Sequence, residues 1–172
     1  MVLNQFLPVV MVLPLVGVVP KELTMAEYAF NPVQEVQPGQ SVLLNDVIPC
    51  SRGYIYHRNQ SGILILRGIV NGCYNCFARY QVTFNGNIAL PEGATVGPIS
   101  VALSIDGEAL PTSNAIVTPA AVDNYFNVTS TAIITVPKGC CFNISIQNTS
   151  VGTTVNPSIN VQNANLTVFR IA

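Results

Sequence analysis

The chain has 172 residues, enough for one domain with a sizeable core and an appendage. Only 9% are charged, against roughly 25% in ordinary globular chains, and the mean hydropathy is +0.45. A net charge of −1 offers no basic stripe for nucleic acid and no polybasic patch for anionic lipid; so much neutral surface points to burial against copies of the chain or a partner.

Residues 1–30 read as an extended apolar arm. The stretch FLPVVMVLPLVGVVPKE, Phe6 to Glu22, holds no charge before Lys21. A secretory signal needs a positive n-region and a small-residue cleavage site, and neither is evident. A membrane helix fails too, because Pro8, Pro14 and Pro20 each remove a helical hydrogen bond and clash with the preceding turn. An extended segment of this length reaches up to roughly 65 Å, enough to cross a neighbouring subunit. The expected contact residues are Phe6, Leu7, Pro8, Val12, Leu13, Pro14, Leu15, Val18 and Pro20. Packing along its own domain is the alternative.

From residue 31 the chain reads as short strands bounded by Gly, Pro, Asn and Asp. Ser41 to Val47 follows the turn Pro38-Gly39, and a hairpin through Asn59–Gly62 joins Tyr54–His57 to Ile63–Leu66. Phe77 to Phe84 alternates, with Phe77, Tyr80, Val82 and Phe84 as its large members. Val96 to Ile105 runs into Asp106-Gly107, a strong two-residue hairpin signal, with Glu108–Leu110 and Ala115–Thr118 beyond it. Phe126–Val136, Cys141–Gln147 and Ile159–Ile171 complete the set, with Val161, Leu166, Val168 and Ile171 expected to face inward. No amphipathic helix breaks the series, which excludes βαβ folds. Eight or more strands in this length predict an all-β fold over residues 31–172, a two-sheet sandwich or jelly roll.

Chemical motifs are sparse. The five cysteines are Cys50, Cys73, Cys76, Cys140 and Cys141. Adjacent Cys140 and Cys141 would point to opposite faces of a strand, which is poor geometry for a zinc site shared with the CxxC of Cys73 and Cys76. No helix follows Cys76 to lower a thiol pKa, so thioredoxin-like chemistry is not expected. The cysteines read as buried free thiols; the sharper alternatives are a Cys73–Cys76 bond or a cross-link between subunits involving Cys50. His57 is the single histidine and sits at a strand end, so acid–base equipment is thin. Glu92, Asp106, Glu108 and Asp123 fall in turns, and Arg67 and Arg79 within strands. The sequons at Asn59, Asn127, Asn143, Asn148 and Asn165 reflect Asn/Ser/Thr-rich composition. Neither a metal nor a cofactor is implied.

The run VPKGCCFNISIQNTS (Val136–Ser150) ahead of NANLTVFRI (Asn163–Ile171) resembles the end of the TNF/C1q-like jelly rolls: a strand, a Gly-containing turn, a strand ending in N-x-S, and a closing strand. VQPGQSVLLNDV and RYQVTFNGNIALPEG fit the same plan, so the resemblance covers Val36 to Ala172. It implies a compact homotrimer with apolar and aromatic side chains along its threefold axis, of the kind found in phage head-decoration and fibre proteins and in bacterial spore-surface proteins. The expected role is non-enzymatic: a trimeric phage capsid decoration protein on the virion surface, assembled in the bacterial cytoplasm and docked on the capsid lattice by its arm. A spore or cell-surface filament subunit, contacting neighbouring subunits by arm exchange, is the alternative; a carbohydrate-binding module, weakened by the absence of Trp, is the third. Nucleic acid and membrane insertion are not expected.

Overall fold

The computed structural model of the chain describes residues 25–48, 53–72, 74–152 and 157–172. The arm positions Phe6 to Pro20, with Cys50 and Cys73, lie outside them. The described chain is a sandwich of two antiparallel sheets. Its strands, in chain order, are β1 (Met25–Phe30), β2 (Gln34–Val36), β3 (Asp46–Ile48), β4 (Ile55–His57), β5 (Leu64–Arg67), β6 (Phe77–Ala89), β7 (Ile99–Ile105), β8 (Glu108–Ala109), β9 (Ala115–Val117), β10 (Phe126–Pro137), β11 (Cys141–Asn148) and β12 (Ile159–Arg170). One sheet runs β10-β6-β12-β1-β3 with β2 also on β12; the other runs β4-β5-β11-β7-β8 with β9 also on β7. This is the expected jelly roll.

Residues 25–30, grouped with the arm on sequence, form β1, paired over its whole length with β12 from Met25↔Phe169 to Phe30↔Ala164. Only Ala26 and Tyr28 of this strand are buried, too short an alternation to be read as a strand without its partner. The segment after Pro38-Gly39 does more than form a strand: it crosses between the sheets. Ser41 bridges Gln147 in the second sheet, whereas β3 pairs β1 in the first. Backbone leaving a ladder needs new partners. The Gln34 side chain supplies them, accepting from Leu43 N (2.7 Å) and donating to Leu43 O (3.0 Å).

Between the sheets, alternate residues interdigitate. Ala78, Tyr80, Val82 and Phe84 of β6 face Leu64, Leu66, Ile144 and Ile146 of the second sheet within one core. Phe77, expected in that set, is out of phase and 41% exposed, lying under the Arg79 guanidinium at 4.7 Å. In β12 the register shifts between Gln162 and Asn165, with Asn163 at φ 52°. This bulge flips the parity, so that Val161 and then Ala164, Leu166 and Val168 all point inward. Ile171 falls on the opposite parity and is exposed, not buried as its sequence position suggested.

Two local features explain sequence signals. Asp106 and Gly107 both have positive φ (52° and 89°), as a type I′ hairpin turn demands. The Asp106 carboxylate then ties the turn to β11 by accepting from Asn143 N (2.9 Å) and Nδ2 (2.8 Å). The N-x-S of Asn148 and Ser150 is a buried lock. Asn148 Nδ2 donates to Val36 O and Pro157 O, and Ser100 N donates to Ser150 Oγ at 2.9 Å. With Asn148 only 1% exposed, its amide is committed to the fold and closed to a glycan.

Candidate interaction surface

The outer face of the first sheet is built from the outward parity of β10, β6, β12 and β1, whose registers align side chains into rows across the strands. One row runs Thr131, Thr83, Thr167 and Glu27; the next runs Thr129, Asn85, Asn165 and Ala29. Side chains in these rows bond to one another: Thr131 Oγ1 to Thr83 Oγ1 (3.2 Å), Asn85 Nδ2 to Thr129 Oγ1 (3.2 Å), Asn127 Nδ2 to Asn85 Oδ1 (2.9 Å) and Asn87 Oδ1 (3.0 Å). Such bonds leave the amides and hydroxyls largely satisfied, lowering the cost of taking the face out of water.

A different row lies on the other side of the threonines. Ile133, Gln81, Phe169 and Met25 stand opposite one another on β10, β6, β12 and β1. Ile133 is 64% exposed and Met25 40%, with Phe77 and Ile171 exposed nearer the strand ends. Among the described residues, the charged side chains on the outward parity of these four strands are Glu27 and Arg79 alone. Glu27 accepts from Asn165 Nδ2 and Arg79 covers Phe77. A face of this size with two charges, both engaged, suits burial against another protein surface.

The comparisons with known proteins concern fold. No family model matches the sequence, and no curated protein matches it. Among solved structures, the globular domain of zebrafish complement 1qA protein superposes with a TM-score of 0.59 at 15% identity, over 88% of this chain and 98% of that one. The Eiger TNF from S. frugiperda gives 0.58 at 11% identity, over 87% and 93%. Murine APRIL gives 0.54 at 10% identity, over 87% and 100%. The domain is a TNF/C1q-like jelly roll. At these identities the TNF/C1q likeness fixes the architecture and leaves side-chain roles to this chain's own geometry.

The sequence-selected residues divide clearly. Cys76, Cys140 and Cys141 are exposed free thiols, not the buried ones expected. Cys76 and Cys140 fall just outside strands, and Cys141 lies on the outward parity of β11. His57 is half-buried: its ring lies 5.0 Å from the Tyr28 ring, and its Nε2 is 2.8 Å from Ser61 O. Arg67 is exposed, its Nη1 donating to Gly53 O (3.3 Å). Among the described residues no group of three His, Cys, Asp or Glu is arranged to hold a metal ion. The row Ile133–Gln81–Phe169–Met25 was missed on sequence. One signal was present: in FNVTSTAIITV, Ile133 is the apolar residue on a parity otherwise held by Asn127, Thr129, Thr131 and Thr135.

Proposed function

We propose that the chain is a non-enzymatic structural subunit. It forms a homotrimer by covering the outer face of the first sheet, and the trimer decorates the outside of a phage head, held there by its N-terminal arm. The observation that carries self-association is the near-uncharged face with the Ile133–Gln81–Phe169–Met25 row at its apolar edge. The TNF/C1q-like fold supports three copies, since the resemblance implies a trimer. The uncharged arm from Phe6 to Pro20 supports docking on a protein lattice.

Light scattering on the full-length chain tests the first step, with a mass of three chains expected and a monomer overturning it. Electron microscopy of the native assembly tests the second: a decorated shell is expected, and a fibre would replace it with the second reading, a spore or cell-surface filament subunit. That reading draws on the three exposed thiols, which suit covalent joining of subunits. In either version, deletion of residues 1–22 abolishes docking while the trimer persists; unchanged docking would remove the arm from the account.

A further inference from the structure

The end of the sandwich where β10 turns into β11 carries three thiols that the trimer face does not use. Cys76 directly precedes β6, Cys140 closes the turn after Pro137, and Cys141 opens β11; all three are free and exposed. Their backbones are neighbours. Lys138 N donates to Cys76 O (2.8 Å), and Gly68 N donates to Cys140 O (2.8 Å). The frame beneath them is pinned: Gly139 N donates to Gly68 O (3.0 Å), Lys138 Nζ to Gly72 O (3.2 Å), and Arg170 Nη2 to Ile69 O. Gly68 passes so close that a Cβ there would lie 1.9 Å from Pro137 O. The thiols are therefore presented on a backbone that cannot fold them away.

Pairing within this patch is restricted. The Cα atoms of Cys140 and Cys141 are about 3.8 Å apart across a trans peptide, below the ~4.4 Å at which disulfides begin. Thiols left exposed on a fixed frame find partners on another copy presenting the same end. Position decides which copy. Cys76 lies five residues of extended strand, about 16 Å, from Gln81 in the row that the trimer covers. The thiols stand past the Phe77↔Pro137 pair that ends the β6–β10 ladder. Cys76 and Cys140 lie beyond the ladder, and Cys141 takes the outward parity of Asn143 on the second sheet, the face opposite the trimer contact. Arg67, directly opposite Cys141 in the β5–β11 ladder, gives the patch a cation that draws in an anionic disulfide.

We propose that this end joins one assembly to the next through disulfides among Cys76, Cys140 and Cys141 of facing copies, an inference that rests on the self-associating reading above. The oxidant is a low-molecular-weight disulfide such as glutathione disulfide. One protein thiol loses its proton to solvent and attacks it, forming a mixed disulfide and releasing one small thiolate. A deprotonated thiol of the facing copy displaces the second. Two protein thiols become one disulfide, and one small disulfide becomes two thiols.

The test uses the full chain carrying Cys50→Ser and Cys73→Ser, so that these three thiols alone remain. It is incubated with glutathione disulfide, alkylated, and run denatured without reductant. Covalent species of two or more chains are expected, lost with reductant and lost again when Cys76, Cys140 and Cys141 are also changed to Ser, and light scattering on the oxidised sample before denaturation is expected to read a mass above three chains. An oxidised native mass that stays at three chains, or chains carrying only glutathione, overturns the proposal. Linked-peptide mass spectrometry on the unmodified chain decides the matter should the double variant fail to fold: links among these three between chains support the proposal, and their absence overturns it. Light scattering on reduced protein keeps the two ideas apart. A reduced monomer overturns the trimer itself, whereas a reduced trimer whose thiols stay unlinked overturns only the cross-link.

Discussion

The two sheets present outer faces of different kinds, although neither carries much charge. On the first sheet the outward face carries Asn and Thr side chains bonded side to side, then a row with Ile133, Phe169 and Met25. Where β7 and β11 pair at the middle of the second sheet the outward residues are short and sunken. Ser100, Ala102, Ser104 and Ser145 are each at most 5% exposed, and Ser41, Ser145 and Ser104 form a chain of hydroxyls at 3.0 and 2.7 Å. A face whose polar groups are spent on internal bonds between small side chains offers little for a partner to grip. The first face offers area, apolar anchors and satisfied amides. The difference teaches that a low charge count alone does not mark an interface; relief and the placement of apolar residues do.

A matched pair breaks this comparison most directly. Ile133 on the first sheet and Ile116 on the second are both 64% exposed, so neither is needed for the core. Ile133→Asp places an unpaired charge in the proposed contact and is expected to weaken association by about 100-fold or more. Ile116→Asp is expected to leave the mass in solution unchanged. Light scattering across a dilution series reads both, and equal effects would erase the distinction between the faces.

The next test concerns what holds the two faces in place. Tyr80 is buried, and its hydroxyl donates to Arg67 O at 2.5 Å, tying the first sheet to the second at the thiol-bearing end. Tyr80→Phe leaves that carbonyl short of a donor and is expected to cost about 1–2 kcal/mol in chemical denaturation. On the second face, Ser104→Ala interrupts the hydroxyl chain while keeping the small volume, at about 1 kcal/mol. On the first, Asn127→Ala removes only exposed amide bonds and is expected to stay within about 0.5 kcal/mol. Reversal of the last two would mean that the amide rows, not the serines, are the structural network.

The smallest expected effect is that of salt. With Glu27 and Arg79 the only charges on the outward parity of the four strands described above, raising ionic strength from about 0.1 to about 1 M should change the trimer dissociation constant less than about twofold. A steep dependence would place the contact elsewhere.

Much of the fold was legible because its signals are local. Asp106-Gly107 announces its turn through the φ values that only such residues adopt readily, and Tyr80, Val82 and Phe84 announce a buried face by period two. Less local matters were not legible. The strand at Met25–Phe30 exists because six residues of β12 pair with it, and those partners lie about 140 positions away in the chain. Phe77 and Ile171 look like core residues by type, yet each falls on the outward parity of its strand. The exposure of Cys76 and Cys140 depended on where the strands end, and that of Cys141 on which parity of β11 faces out.

Composition and spacing by themselves determined that this chain is an all-β sandwich with few charges, with N-x-S and a closing strand in TNF/C1q-like order. They did so because alternation, turn stereochemistry and charge count act within a few residues. Which neutral face has relief, where a bulge reverses parity, and which end gathers the thiols were decided only by the tertiary structure. Those depend on which distant strands lie side by side, and pairing across such separations is set by the packing of the whole sandwich.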